Sequence, residues 1–212
     1  FFALMVVLLT NRTLERSRAM NAQINNVYGP SVDALVRLRN LIVNSRTLIK
    51  HWALVESIPD APEKTALVEL TERELPQLMD RIDTLEGGWD KNEVGMMNKT
   101  FSDMNVLFAL HDSVKNMLPN FESYKDPVAY FKAKDLAEEG GPLDAQSTKV
   151  LTDLSDLLLV QEAKRQTLSG GMSHSFDSLK FFVLYLGSAL VVIGALLAFL
   201  IVRGIVVPLR KL

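Results

Sequence analysis

INNVYGPSVDALVRLRNLIVNSRTLIKHWALV, residues 24–55, is the stretch whose reading decides the fold. Ile24, Tyr28, Ser31, Leu35, Leu38, Ile42, Ser45, Ile49 and Trp52 follow one another at alternating spacings of four and three. Beside them Val27, Ala34, Leu41, Leu48 and Val55 repeat every seven residues. The two sets make a three-in-seven stripe, the pattern of a helix packed inside a bundle and wider than a two-stranded seam. Gly29-Pro30 interrupts it. Proline removes a hydrogen bond and crowds the preceding turn, so a kink or one-turn break is predicted there. Continued from Asn11 to Ser57, the helix would span roughly 70 Å at about 1.5 Å per residue.

Three further helices follow. Pro59 and Pro62 end the first, because a residue before proline is pushed out of the α region. A second, from about Pro62 to Glu86, buries Leu67, Leu70, Leu75, Leu78, Ile82 and Leu85, with Asp60 as its cap and Pro62 in its first turn. Gly87-Gly88 stops it. Trp89-Asp90 opens a third, which carries Val94, Met97, Phe101, Met104, Phe108 and His111 at four-three spacing and closes at Pro119. Asn120 to Pro142 breaks the pattern. A connection of about 24 residues is long for a bundle, so it reads as an elaborated cap, with Asp126-Pro127 starting a short helix and Gly140-Gly141-Pro142 stopping it. The fourth helix starts near Leu143-Asp144, buries Val150, Leu151, Leu154, Leu157, Leu158 and Leu168, and passes through Gly170-Gly171.

That helix leads into about 22 uncharged residues, Phe181 to Val202, enough to cross a bilayer. Arg203 and the segment Ile205 to Leu212 follow and read as the start of something further. At the other end Phe1 to Leu9 is apolar, without an initiator Met, and reads as the tail of a first span; the end of a secretory signal is the alternative, although no small-x-small cleavage site follows. The fold class is therefore all-α: an antiparallel four-helix bundle with long membrane-continuous first and last helices and two transmembrane spans. Residues 1–10 end the first span, 11–178 are the soluble bundle with the 120–142 cap, 179–202 the second span, and 203–212 the start of a linker. Thin two-helix stalks near the membrane need a partner to cover their apolar seam, which predicts a homodimer. Arg203, Arg210 and Lys211 favour a cytoplasmic C-terminus, while Arg12, Arg16 and Arg18 weaken the preference. A net charge of -2 gives no reason to expect nucleic acid. The absence of cysteine suits an oxidising compartment and is common elsewhere too.

This layout, closing with Ile205-x-x-Pro208-Leu209-x-x-Leu212, resembles a bacterial transmembrane receptor of the methyl-accepting chemotaxis protein or sensor histidine kinase type. Its last eight residues look like the opening of a HAMP relay domain. Asn25 to Ser31, with the Leu/Arg heptads after it, is similar to the first helix of that sensing family. The resemblance implies a multi-pass protein of the bacterial inner membrane with a periplasmic or extracellular sensor domain. A small anionic ligand or a periplasmic protein would be its stimulus, and cytoplasmic signalling proteins would be reached through a further output domain. It implies no cofactor. A bundle that docks another envelope protein is the alternative.

The residues offer no catalytic constellation, so no enzyme is predicted in this stretch. His51, His111 and His174 are isolated and lack metal-ligand spacing. Asp153, Asp156 and Glu162 read as a solvated face, with a metal site as the alternative. Trp52 and Trp89 read as core or helix-end anchors. Arg39, Arg46 and Lys50 lie within a few turns of one another on the first helix, and guanidinium forks suit carboxylates. In receptors of the resembled kind such arginines can hold an anion at the dimer interface; interhelical salt bridges or a solvated edge are the other reading of these three. In the second span Gly187 and Gly194, seven apart, would let helices approach closely. With Pro208 and Leu209 they form the predicted signal relay.

Overall fold

The stripe folds as a helix, and prolines set where that helix is irregular. The computed structural model describes residues 2–55, 58–59, 61–201 and 203, and among them every regular element is helical, with no strand. Helix α1 (Phe2–Gln23) leads into a π turn, Ile24–Tyr28, and then α2 (Gly29–Leu54). Pro30 has no N–H to donate, and its ring crowds the carbonyl one turn back. The chain responds by widening, not by breaking. Gly29 N–H donates to the carbonyl of Ile24, five residues earlier. A Cβ at position 29 would lie 2.9 Å from that oxygen, so the widened turn needs glycine.

The device recurs. Helix α3 (Pro62–Glu69) passes through a π turn, Leu70–Glu74, into α4 (Leu75–Glu86), whose second residue is Pro76. The expected Asp60 cap is not what starts α3: Ala61, at φ -58 and ψ 141, holds the cap position without a side-chain hydrogen bond. Asp60 itself lies outside the described residues.

Helix α5 (Lys91–Met117) begins with a complete capping box. The Asp90 carboxylate accepts from Asn92 and Glu93 N–H, and the Glu93 carboxylate accepts from Asp90 N–H at 2.7 Å. A 3-10 turn (Phe121–Lys125) and α6 (Pro127–Ala137), capped by Asp126, fill the long connection. Gly140, at φ 78, makes the left-handed turn that releases the chain into α7 (Pro142–Ile201).

The chain divides into two units, Gln23–Gln166 and Phe1–Ala22 with Thr167–Leu212. In the first, one core gathers Leu35, Leu38, Ile42 and Ile49 of α2, Leu67 of α3, Ile82 of α4, Met97 and Leu107 of α5, and Leu143, Val150, Leu154 and Leu157 of α7. Ser31, Ser45 and Ser147 sit fully buried in the same seams, each returning its hydroxyl to a carbonyl of its own helix or of the turn preceding it. Small residues there let the backbones approach while leaving no hydroxyl unsatisfied. Helix α6 packs on α2 and α5, burying Ala133 and Ala137 completely.

In the second unit a Cβ at Gly171 would lie 3.3 Å from Met20 Sδ, so α1 and α7 touch there. Helix α7 is the one helix among the described residues long and apolar enough to cross a membrane, and its apolar window is unburied. The predicted relay residues Pro208 and Leu209 lie outside the described residues.

Leu154 has no exposed surface and lies in the middle of the α7 stripe. Leu154→Ala should lower unfolding stability by about 2–5 kcal/mol in urea titrations of the chain in detergent. A loss below about 1 kcal/mol would mean that this seam is not closely packed.

Candidate functional site

The sequence-predicted cationic site resolves into structural ion pairs. Asp144, in the first turn of α7, accepts a hydrogen bond from Arg46 and one from Lys50 Nζ at 2.8 Å, and its second oxygen accepts from Gly140 N–H at 3.3 Å. These bonds, that from Lys50 first, hold the Asp144 carboxyl down at about 2. Arg39 is exposed and takes no part in the cluster. The interhelical salt-bridge reading thus describes Arg46 and Lys50, which share the one negative charge of Asp144.

Helix α7 is docked to α5 in the same manner. Lys149 Nζ contacts Asp103 at 2.5 Å, Gln146 Nε2 donates to the Asp103 carbonyl at 2.8 Å, and Lys99 Nζ reaches Asp153 at 2.5 Å. Lys149, foremost, draws the Asp103 carboxyl below its usual range. Asp153, read from sequence as a solvated face or a metal ligand, is therefore a docking residue. No group of three His, Cys, Asp or Glu able to hold a metal occurs among the described residues.

Toward the start of α5, Lys164 Nζ lies 2.5 Å from Asp90 and 2.8 Å from Glu93, whose side chain has no exposed surface. The ammonium also stands 5.8 Å from the Tyr28 ring centre. Burial opposes the charge on Lys164, but the bonds to Asp90 and Glu93 outweigh it and raise its pKa. Burial, then the negative field of Glu93, raises the Tyr28 hydroxyl. Alongside, Trp89 Nε1 donates to Ser31 Oγ at 2.8 Å, so Trp89 is an anchor as expected.

At the other end of the unit the cap closes over Trp52. Its Nε1 donates to the Leu118 carbonyl at 3.0 Å, and its own carbonyl accepts from Tyr124 Oη at 2.6 Å. Lys64, almost wholly buried, places its ammonium 4.9 Å from both the Trp52 and Tyr124 rings. Burial lowers its pKa. Sequence reasoning passed over Lys64, Glu93, Tyr124 and Lys164. Only Glu93 had a readable signal, its place three residues after Asp90.

His111 is buried with neither ring nitrogen hydrogen-bonded, edge-on to Phe108 at 5.2 Å. Burial, helped by Lys115, lowers its pKa to about 4. Its place on the core stripe is the structural role expected for it. Gly187 and Gly194 lie in open space: a Cβ at either would meet nothing within 4 Å. The glycine that packs against α1 is Gly171.

Two separate acid windows follow. Unfolded chain protonates His111 below about 6.5, whereas folded chain resists until about 4, so stability falls as pH drops between those values. Asp144 supplies stability that is complete above 3.8 and drains away as pH falls towards 2. Thermal melts across this range should lose the upper window in His111→Leu and the lower one in Asp144→Asn. Unchanged profiles in these variants would contradict the assignment.

Comparison with protein-family models, curated proteins and solved structures gives no match to this chain.

Proposed function

We propose that this chain is the signal-input part of a bacterial transmembrane receptor of the chemoreceptor or sensor-kinase type. On this reading residues 11–178 are a periplasmic or extracellular antiparallel four-helix bundle. Residues 1–10 and 179–202 belong to two spans of the inner membrane, and residues 203–212 open a HAMP domain. Two copies pair, and cytoplasmic signalling proteins read the result through a further output domain. No reaction is assigned to the bundle.

The observation that carries this reading is helix α7. The same helix, Pro142–Ile201, holds the buried leucines 143, 154 and 157 and the exposed apolar side chains from Phe181 to Ile201. An apolar surface of that extent belongs in lipid or against another apolar surface. A stimulus that binds one arrangement of α7 better than another shifts the balance between them, and helical switches work with displacements of about 1–2 Å.

The exposed cap supports a second reading, in which the stimulus is a protein. Val128 and Phe131 of α6 are 63% and 58% exposed, with Phe121 nearby in sequence at 39%. On this second reading a protein partner would cover these apolar side chains.

Fusing the chain to a chemoreceptor output domain tests the receptor reading. Gly187→Leu and Gly194→Leu should shift basal output several-fold while membrane insertion is retained. Output that is indifferent to both would remove the relay through these glycines. Phe131→Glu should leave the response to small molecules intact and abolish any response that depends on a protein.

A further inference from the structure

On the side of α2 away from its Asp144 cluster, Arg37, Asn40 and Leu41 line a cleft of about 430 Å³ together with Gln77, Leu78 and Arg81 of α4 and with Glu74, the last residue of the π turn before α4. That size lies in the range of small-ligand sites. The cleft continues along α2 into a second stretch where Leu41 and Leu48 meet Leu70 and Glu74. Numbers rise along α2 as they fall along α3 and α4, so the helices run in opposite directions and Arg37 and Arg81 share one level. Glu74 is two helical turns from Arg81, about 10 Å along the axis.

This cleft differs from the other seams of the unit in its pairing: it holds a carboxylate, Glu74, but Glu74 forms no ion pair with Arg37 or Arg81. Elsewhere a cation on one helix meets a carboxylate on the facing one: Lys149 with Asp103, Lys99 with Asp153, Lys164 with Glu93. Arg37 and Arg81 have no ion pair or hydrogen bond with any described residue. Two guanidiniums across one cleft repel each other, and the repulsion disappears when an anion sits between them. Guanidinium forks match carboxylate geometry, and the amides of Asn40 and Gln77 add donors beside them. The floor is apolar, formed by Leu41 and by Leu78, which is buried. The wall bearing Glu74 is the π turn Leu70–Glu74, and such widened turns are frequent at functional sites.

We infer that the α2–α4 cleft binds a small organic carboxylate, its charge held between Arg37 and Arg81 and its apolar body resting on Leu41 and Leu78. Glu74 repels a second negative group further along, so the site favours a compact anion over an extended polyanion. That this site is the receptor's stimulus site rests on the proposed function; the binding itself does not.

Isothermal titration of the full chain in lipid nanodiscs tests the inference, with benzoate as probe and acetate and sulfate as comparators. Benzoate should bind more tightly than either. Arg37→Ala and Arg81→Ala should each weaken it by about tenfold or more, and the double variant by little beyond that, since both hold one anion. Arg39→Ala, removing a charge two residues away from Arg37, should leave binding unchanged. Circular dichroism melts separate loss of the site from loss of fold. The site is refuted by absence of benzoate binding at millimolar concentration, by undiminished binding in folded Arg37→Ala and Arg81→Ala chains, or by sulfate binding as well as benzoate. Carboxylate binding without any change of output in the receptor fusion would overturn the stimulus role and leave the site standing. A fusion that responds to another stimulus while benzoate fails to bind would do the reverse.

Discussion

The Glu93 carboxylate is fully withdrawn from water, and the packed unit is organised around what holds it there. Removing a carboxylate from solvent costs several kcal/mol, offset only when a counter-charge and hydrogen bonds are in place. Here the counter-charge is Lys164 of α7 and the hydrogen bond is Asp90 N–H. One side chain therefore caps α5 and fixes the height at which α7 lies beside it. The Tyr28 ring, on the π turn preceding α2, stands against the same ammonium. Removing one member of a buried pair typically costs about 3–5 kcal/mol, so the three elements keep their heights together.

Helix α2 shows how a facing helix decides what an arginine does. Arg46 meets α7, which offers Asp144, and becomes part of the scaffold. Arg37, nine positions earlier, meets α4 and the turn before it, which offer Arg81, the Gln77 amide and, further along, the Glu74 carboxylate. The side chains are chemically identical. The first is bonded to a carboxylate, whereas the second makes no ion pair, although Glu74 lines the same cleft.

The helical segments were legible because burial in this chain is periodic. Leu38, Ile42, Ser45, Ile49 and Trp52 stand at four-three spacing, and all are buried. Asp90 was read as a helix start; Glu93, three residues on, carried the rest of the capping signal and was passed over. The irregularity at Pro30 was legible but its form as a π turn was not, and the turn before Pro76 was not read at all, since each answers a proline by moving one hydrogen bond and leaves the stripe almost in phase. At the candidate site the residue types could be read but not their partners. Asp144 is 98 residues from Arg46 and 94 from Lys50, so nothing local distinguishes a ligand-binding arginine from a docking one. Lys64 carries no periodic signal either; it is enclosed by Trp52 and by Tyr124, brought over it by a connection whose sequence shows only its start and stop.

The order of charges between α5 and α7 has a mechanical consequence. Lys99 and Asp103 are four apart on one helix, Asp153 and Lys149 four apart on the other, and they meet as opposites. A slide of one full turn, about 5.4 Å, would set Lys149 against Lys99 in one direction and Asp153 against Asp103 in the other. Both arrangements set like charges against each other. The ladder therefore disfavours a one-turn slide in either direction, modestly, because both lysines are more than half exposed.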